Sequence, residues 1–272
     1  MFQLLTLGGL SLTRAGEPSE RSPIQRRQLA LLAVLAGAGP GGVSRDKLMG
    51  LLWPDRELDR ARSSLDQALY AARRVCGPDV FIASPTSLAL NPSIIASDLA
   101  AFSAALAAGD AAAAVRAYGG PFLDGVFISD AAEFERWADG ERARLAREYQ
   151  GALETLARSA SARGAADEAI QWWRRVVDAD PLSSRAARGL IEALAAAGDR
   201  AGALDFARVH EALVRNELGA SPDPTVVSLV EELRRAALPA ASQATASSAS
   251  TAIAPRSASH AVADERGVSP LT

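Results

Sequence analysis

The chain has 272 residues, about half of them apolar, with abundant alanine and only 5% aromatics; this excludes a β-sandwich rich in aromatic and β-branched residues and favours closely packed helices. A single cysteine, Cys76, excludes an internal disulfide, and the most apolar run, residues 29–36, is too short to cross a bilayer. The net charge of −3 is unevenly placed: residues 1–97 carry 11 Lys/Arg against 8 Asp/Glu, and residues 98–272 carry 18 against 24. The N-terminus lacks the basic start, apolar run and small-residue cleavage site of a signal peptide, so a soluble, cytoplasmic chain is expected.

Residues 2–7 and 10–13 read as two short strands joined at Gly8–Gly9, and residues 16–22 as a polar turn. A first helix is predicted over 23–36, opened by Pro23 and stopped by Gly37, Gly39, Pro40 and Gly41. Its middle is apolar nearly all round, as befits the central helix of a core. A second helix follows the N-cap Ser44 and ends before Pro54. A polar loop, 55–59, leads to a third helix over 60–76, closed by Gly77 and Pro78. Residues 80–83 and 87–90 then form a terminal hairpin. Strands, three helices and a hairpin, in that order, make a winged helix.

From Asp98 to about Leu238 the pattern is helical throughout, and it repeats. Gly109, Gly164 and Gly198 each end a helix before a short polar turn and a small-then-aliphatic start to the next. The last two are 34 residues apart, the period of tetratricopeptide repeats. Stacked helix pairs of this kind bury each other's apolar faces. The final segment, 239–272, contains 10 Ala and 7 Ser and almost no large apolar residue, so it reads as a disordered tail or linker, as in a longer protein. The expected fold is mainly α: a winged helix over 1–97, tetratricopeptide-like helical repeats over 98–238, then the tail.

Winding the third helix at about 100° per residue places Ala61, Leu65, Leu69, Ala72 and Cys76 on one stripe that can pack on the first helix. Arg60, Ser63, Gln67, Tyr70 and Arg74 fall on the opposite side, with Arg62 and Arg73 at the flanks. Such an outward set suits the major groove of double-stranded DNA. Gln pairs with adenine, Arg with guanine or phosphate, and Ser or Tyr with phosphate. A bland reading competes: a solvated outer face on a helix whose winged helix has lost DNA readout, with the helical repeats acting as a protein-interaction module. The wing tip, 84–87, carries no Lys or Arg and favours that alternative.

Residues 1–97 resemble the winged-helix domain shared by OmpR-type response regulators and the Streptomyces antibiotic regulatory protein family. The resemblance is carried by 25–32, by Val43-Ser44-Arg45-Asp46-Lys47-Leu48 with Leu51-Leu52-Trp53, and by Ala61-Arg62-Ser63-Ser64-Leu65 with Arg73-Arg74. Residues 98–238 resemble the bacterial transcriptional activator domain, through Asp98-Leu99-Ala100-Ala101-Phe102, the run 118–125, Phe134-Glu135-Arg136-Trp137 and Asp180-Pro181-Leu182. The resemblance implies a sequence-specific activator that binds direct repeats at a promoter, self-associates on tandem sites and recruits RNA polymerase. It further implies that the segment between helices two and three, with Pro54, Asp55, Arg56, Glu57 and Asp59, faces polymerase. Two departures bear on target sequence and affinity: Ala71 stands where many relatives carry arginine, and the wing lacks the usual Gly-Tyr and basic residues.

Catalytic chemistry is not expected. Two scattered histidines, His210 and His260, and one cysteine make no metal site, and no cofactor is implied. Glu133, Glu135, Asp139 and Glu141 have the spacing of a solvated helix face, and Trp172–Trp173 that of repeat packing. Residues 37–42 lack the Gly-Lys-Ser/Thr ending of a phosphate-binding loop.

Overall fold

The computed structural model describes residues 1–14 and 24–236; the polar turn at 16–22, the predicted start at Pro23 and the Ala/Ser-rich tail lie outside the described residues. Strand β1 (Phe2–Leu5) turns at Gly8, φ +94°, into antiparallel β2 (Ser11–Arg14). Helix α1 (Arg26–Ala38) buries every residue from Leu29 to Leu35, so it is wrapped on all sides, as its uninterrupted apolar run demands. Helix α2 (Arg45–Leu52) starts on Ser44, whose hydroxyl accepts the Lys47 N–H at 3.2 Å, and stops at Trp53 ahead of Pro54. Helix α3 (Leu58–Cys76) follows, then the hairpin β3 (Phe81–Ala83) and β4 (Leu88–Leu90). The hairpin is anchored next to its turn by reciprocal 2.8 Å backbone hydrogen bonds between Val43 and Leu88.

One strand was not anticipated. β5 (Ile95–Ser97) lies parallel to β1, so the N-terminal sheet has the order β2-β1-β5. Three residues are too few to show a period, and their pairing partner is more than 90 positions away.

Seven helices follow: α4 (Asp98–Ala107), α5 (Ala111–Ala117), α6 (Ala132–Ala162), α7 (Ala166–Ala179), α8 (Ser184–Ala196), α9 (Arg200–Leu218) and α10 (Pro224–Arg235). The turns α4–α5, α6–α7 and α8–α9 are the three repeat glycines. Gly109, Gly164 and Gly198 have φ of +72°, +72° and +83°, a region an L side chain seldom adopts. Small residues bring the paired helices together. A Cβ on Gly189 of α8 would lie 2.5 Å from the Trp173 indole of α7. Of the tryptophan pair, Trp173 is buried, while Trp172 lies half-buried, with Arg175 over its ring and its Nε1–H donated to Glu168.

The expectation of unbroken helix from Asp98 is corrected between α5 and α6. Residues 118–131 are an irregular segment that includes Gly119, Gly120, Pro121 and the left-handed Leu123 and Asp130. This segment clamps the two parts of the chain together. Its Leu123 N–H donates to Thr6 O at 2.8 Å, Pro121 O accepts from Gly8 N at 2.9 Å, and Gly119 approaches Leu7 O so closely that a Cβ would sit 2.7 Å away. Phe122 is fully buried, edge-on to Trp137 of α6. Beside it, the Asp98 carboxylate at the start of α4 accepts Thr6 N–H and Leu7 N–H at 2.8 and 2.7 Å and the Thr6 hydroxyl at 2.8 Å. The apolar cores of the two parts run into one another here. Among the described residues no helix is long and apolar enough to cross a membrane.

Candidate nucleic-acid interface

Helix α3 is the most sharply two-faced helix of the N-terminal part. Ala61, Leu65, Leu69, Ala72 and Cys76 point inward as predicted, and Ala68 completes the buried stripe. Its packing partners are α1, α2 and the turn that follows it; the helical part docks instead on α1, α2 and the N-terminal sheet. The opposite face of α3 is therefore open to solvent. Arg60, Arg62, Ser63, Gln67, Tyr70, Arg73 and Arg74 are all exposed, and Tyr70 has 63% of its surface free. An exposed tyrosine in the middle of a well-packed helix has no role in the core.

The charged groups here are lightly held. Arg62 pairs with Asp59 at 3.9 Å, and Arg73 lies over the Phe81 ring at 5.5 Å. The side chains of Arg60 and Arg74 have no partner among the described residues. Exposed ion pairs of this kind stabilise by at most about 1 kcal/mol, so each arginine can exchange its contact for a phosphate. Asp59, Arg62, Ser63, Asp66, Gln67 and Tyr70 line a shallow groove of about 410 Å³ along the helix.

Three residues outside the predicted set belong to this surface. Arg45 and Lys47, in the first turn of α2, are exposed, and Arg45 Nη1 reaches Asp66 Oδ1 of α3 at 3.3 Å. A basic first turn next to a helix N-cap was a visible signal for the backbone contact that the first helix of a helix-turn-helix makes. Asp66 itself, an acid on the outer face, was the residue a search for basic groups passes over.

The predicted segment 54–59 is corrected at its end. α3 begins at Leu58, so Asp59 stands in its first turn, and the non-helical stretch is 53–57. An acid in the first turn is favoured by the helix dipole, which is why the helix extends back through it. Asp55, Arg56 and Glu57 are exposed and Pro54 is half-buried. Arg56 is tied down by a 2.7 Å hydrogen bond to the Ser64 hydroxyl, which in turn donates to Arg60 O. The wing tip turns on Ser84, whose hydroxyl accepts the N–H of Thr86 and Ser87, and it presents no charge.

The other candidates make the following contacts. Glu133, Asp139 and Glu141 pair with Arg136, Arg142 and Arg144 one turn along α6, and Glu135 accepts the Ile128 N–H at 2.9 Å. Cys76, the last residue of α3, is buried, and burial pushes its thiol up to about 11. His210 is buried with Nδ1 3.2 Å from Pro181 O. Among the described residues no cluster of His, Cys, Asp and Glu is placed to hold a metal.

Compared with known families, residues 96–234, just over half of the chain, match the bacterial transcriptional activator domain. Among solved structures, the chain is similar to Mycobacterium tuberculosis EmbR in complex with a low-affinity phosphopeptide, with a TM-score of 0.65 and 24% identity. That superposition covers 86% of this chain and 65% of the EmbR chain, and at this identity it shows the fold: a winged helix followed by helical repeats. No curated protein matches the sequence.

Proposed function

Because this chain belongs to the bacterial transcriptional activator domain family, and is thus a transcriptional regulator of the Streptomyces antibiotic regulatory type, we propose that it activates promoters by binding DNA sequence-specifically through α3. The observation that carries this reading is the unobstructed outer face of α3, where arginines, a glutamine and a tyrosine stand on one stripe, clear of the helical part.

A helix of this diameter fits the major groove, where each base pair presents its own donor and acceptor pattern. Gln67 is suited to the N6/N7 edge of adenine and Arg74 to O6/N7 of guanine. Arg62 and Arg73 at the flanks, Arg60 at the start of the helix and Arg45 from α2 are suited to phosphates. Residues 1–97 make the DNA-binding unit in this reading and residues 98–238 the activator unit. Binding to direct repeats brings two chains side by side, and the segment from Pro54 to Asp59 then faces RNA polymerase.

The wing favours a second reading, in which the winged helix is a docking surface and the repeats capture proteins. Its tip offers no positive charge to a phosphate. Random-oligonucleotide selection with the full chain separates the two. The first reading expects one enriched motif, with binding that falls steeply as salt rises. Enrichment of no sequence, together with salt-insensitive retention, leaves only the second.

A further inference from the structure

We infer that Asp66 specifies a cytosine in the target site, with its carboxylate accepting a hydrogen bond from the cytosine N4 amine. This rests on the reading of α3 as the helix that enters the major groove.

Asp66 lies on the outer half of α3, one turn from Arg62 and one from Tyr70, and its side chain is 63% exposed. It lines the groove that runs along the helix with Ser63, Gln67 and Tyr70. A carboxylate on this face must enter a duplex lined by phosphates, where its charge is repelled unless something offsets it. Two features bear on this. Arg45 Nη1 lies 3.3 Å from Oδ1 on the α2 side, so a positive charge sits beside the carboxylate and partly offsets it. Oδ2 has no partner among the described residues, so the carboxylate keeps an oxygen available to a base.

A carboxylate only accepts hydrogen bonds, so the bases it can meet are limited. Guanine presents O6 and N7, both acceptors, and thymine presents O4 beside a methyl group. Either one faces Oδ2 with like polarity. Adenine presents one donor, N6, but next to the acceptor N7. Cytosine presents the N4 donor with only a C–H beside it, the best match for a single carboxylate oxygen. The net result is selection by repulsion as much as by attraction.

The test uses the full chain as wild type, D66N and D66A in parallel random-oligonucleotide selections, with thermal melts to establish that all three are folded. The wild-type motif is expected to contain a fixed cytosine. In D66N that position moves to adenine, because an amide can pair with N6 and N7 together; in D66A it accepts any base. On a fixed duplex, changing this cytosine to thymine weakens wild-type binding by roughly tenfold and leaves D66A binding nearly unchanged. A wild-type motif retained base for base in both variants overturns the assignment of Asp66 and leaves DNA binding intact. A folded wild-type chain that enriches no motif overturns DNA reading itself, and Asp66 with it.

Discussion

Arg74 and Gln67 occupy the centre of the outward stripe of α3, whereas Arg62 and Arg73 stand at its edges, and this difference of one flank predicts two kinds of loss. Replacing Arg74 or Gln67 with alanine removes a side chain placed for base edges, so the selected motif should become degenerate at one position. The cost on the best site is about 1–3 kcal/mol. Replacing Arg62 or Arg73 should instead weaken binding to all sequences alike and lower the slope of log K against log salt by about one. Filter-binding or anisotropy titrations across a salt series distinguish the two; identical slopes for all four variants would count against the assignment. Cys76 predicts a contrasting, non-functional behaviour. Its buried thiol is raised to about 11, so thiolate forms in the folded chain only as pH climbs through that value. The sign follows: the folded chain keeps the neutral thiol, so this contribution to stability is complete below the ordinary thiol range and is lost as pH rises toward 11. Iodoacetamide labelling at pH 8 should be slow in buffer and fast in denaturant. Rapid labelling of the folded chain at that pH would show the burial to be wrong.

At the scale of elements, periodicity was legible where a helix had one wet and one dry face. The stripe of α3 could be wound from its residues because a lone amphipathic helix repeats its apolar positions several times within its length. The same repetition exposed the glycine turns of the helical part. It did not reveal β5, whose three residues pair with β1 across the whole winged helix, nor the irregular segment 118–131, which is held by contacts to Thr6, Leu7 and Gly8. Asp66 illustrates the same limit within the candidate site: its position on the helix could be wound, but its Arg45 partner comes from another element. Two substitutions test the packing that positions the site. Leu65 is almost completely buried at the middle of the stripe, so Leu65→Ala should lower stability by about 2–5 kcal/mol in urea unfolding. Gly189→Ala should cost about 1–3 kcal/mol, since the new methyl overlaps the Trp173 ring and one helix of the pair must shift. A neutral Gly189→Ala would mean that the close approach of α7 and α8 is not needed.

For the molecule as a whole, the joint between the winged helix and the repeats determines whether they move as one piece. Thr6 is fully buried, and both its N–H and its hydroxyl end on Asp98. Asp98→Ala leaves those donors and the Leu7 N–H without their acceptor, which should cost about 1–3 kcal/mol for each donor that water cannot reach. Amide exchange should speed up at Thr6 and Leu7 while α3, which makes no use of this joint, keeps its protection. Unchanged exchange at both amides would show that the clasp carries no load. Composition, helical period and turn glycines by themselves determined a mainly helical chain, the order of its helices in the winged helix and the outward residues of α3, because all of these depend on neighbours within a few turns. Only the tertiary structure decided how the two parts join, which acid and base meet beside the groove, and that the helical part leaves α3 uncovered. Those outcomes rest on contacts between residues distant in sequence, and no local pattern encodes which distant partner a buried donor or an exposed carboxylate will find.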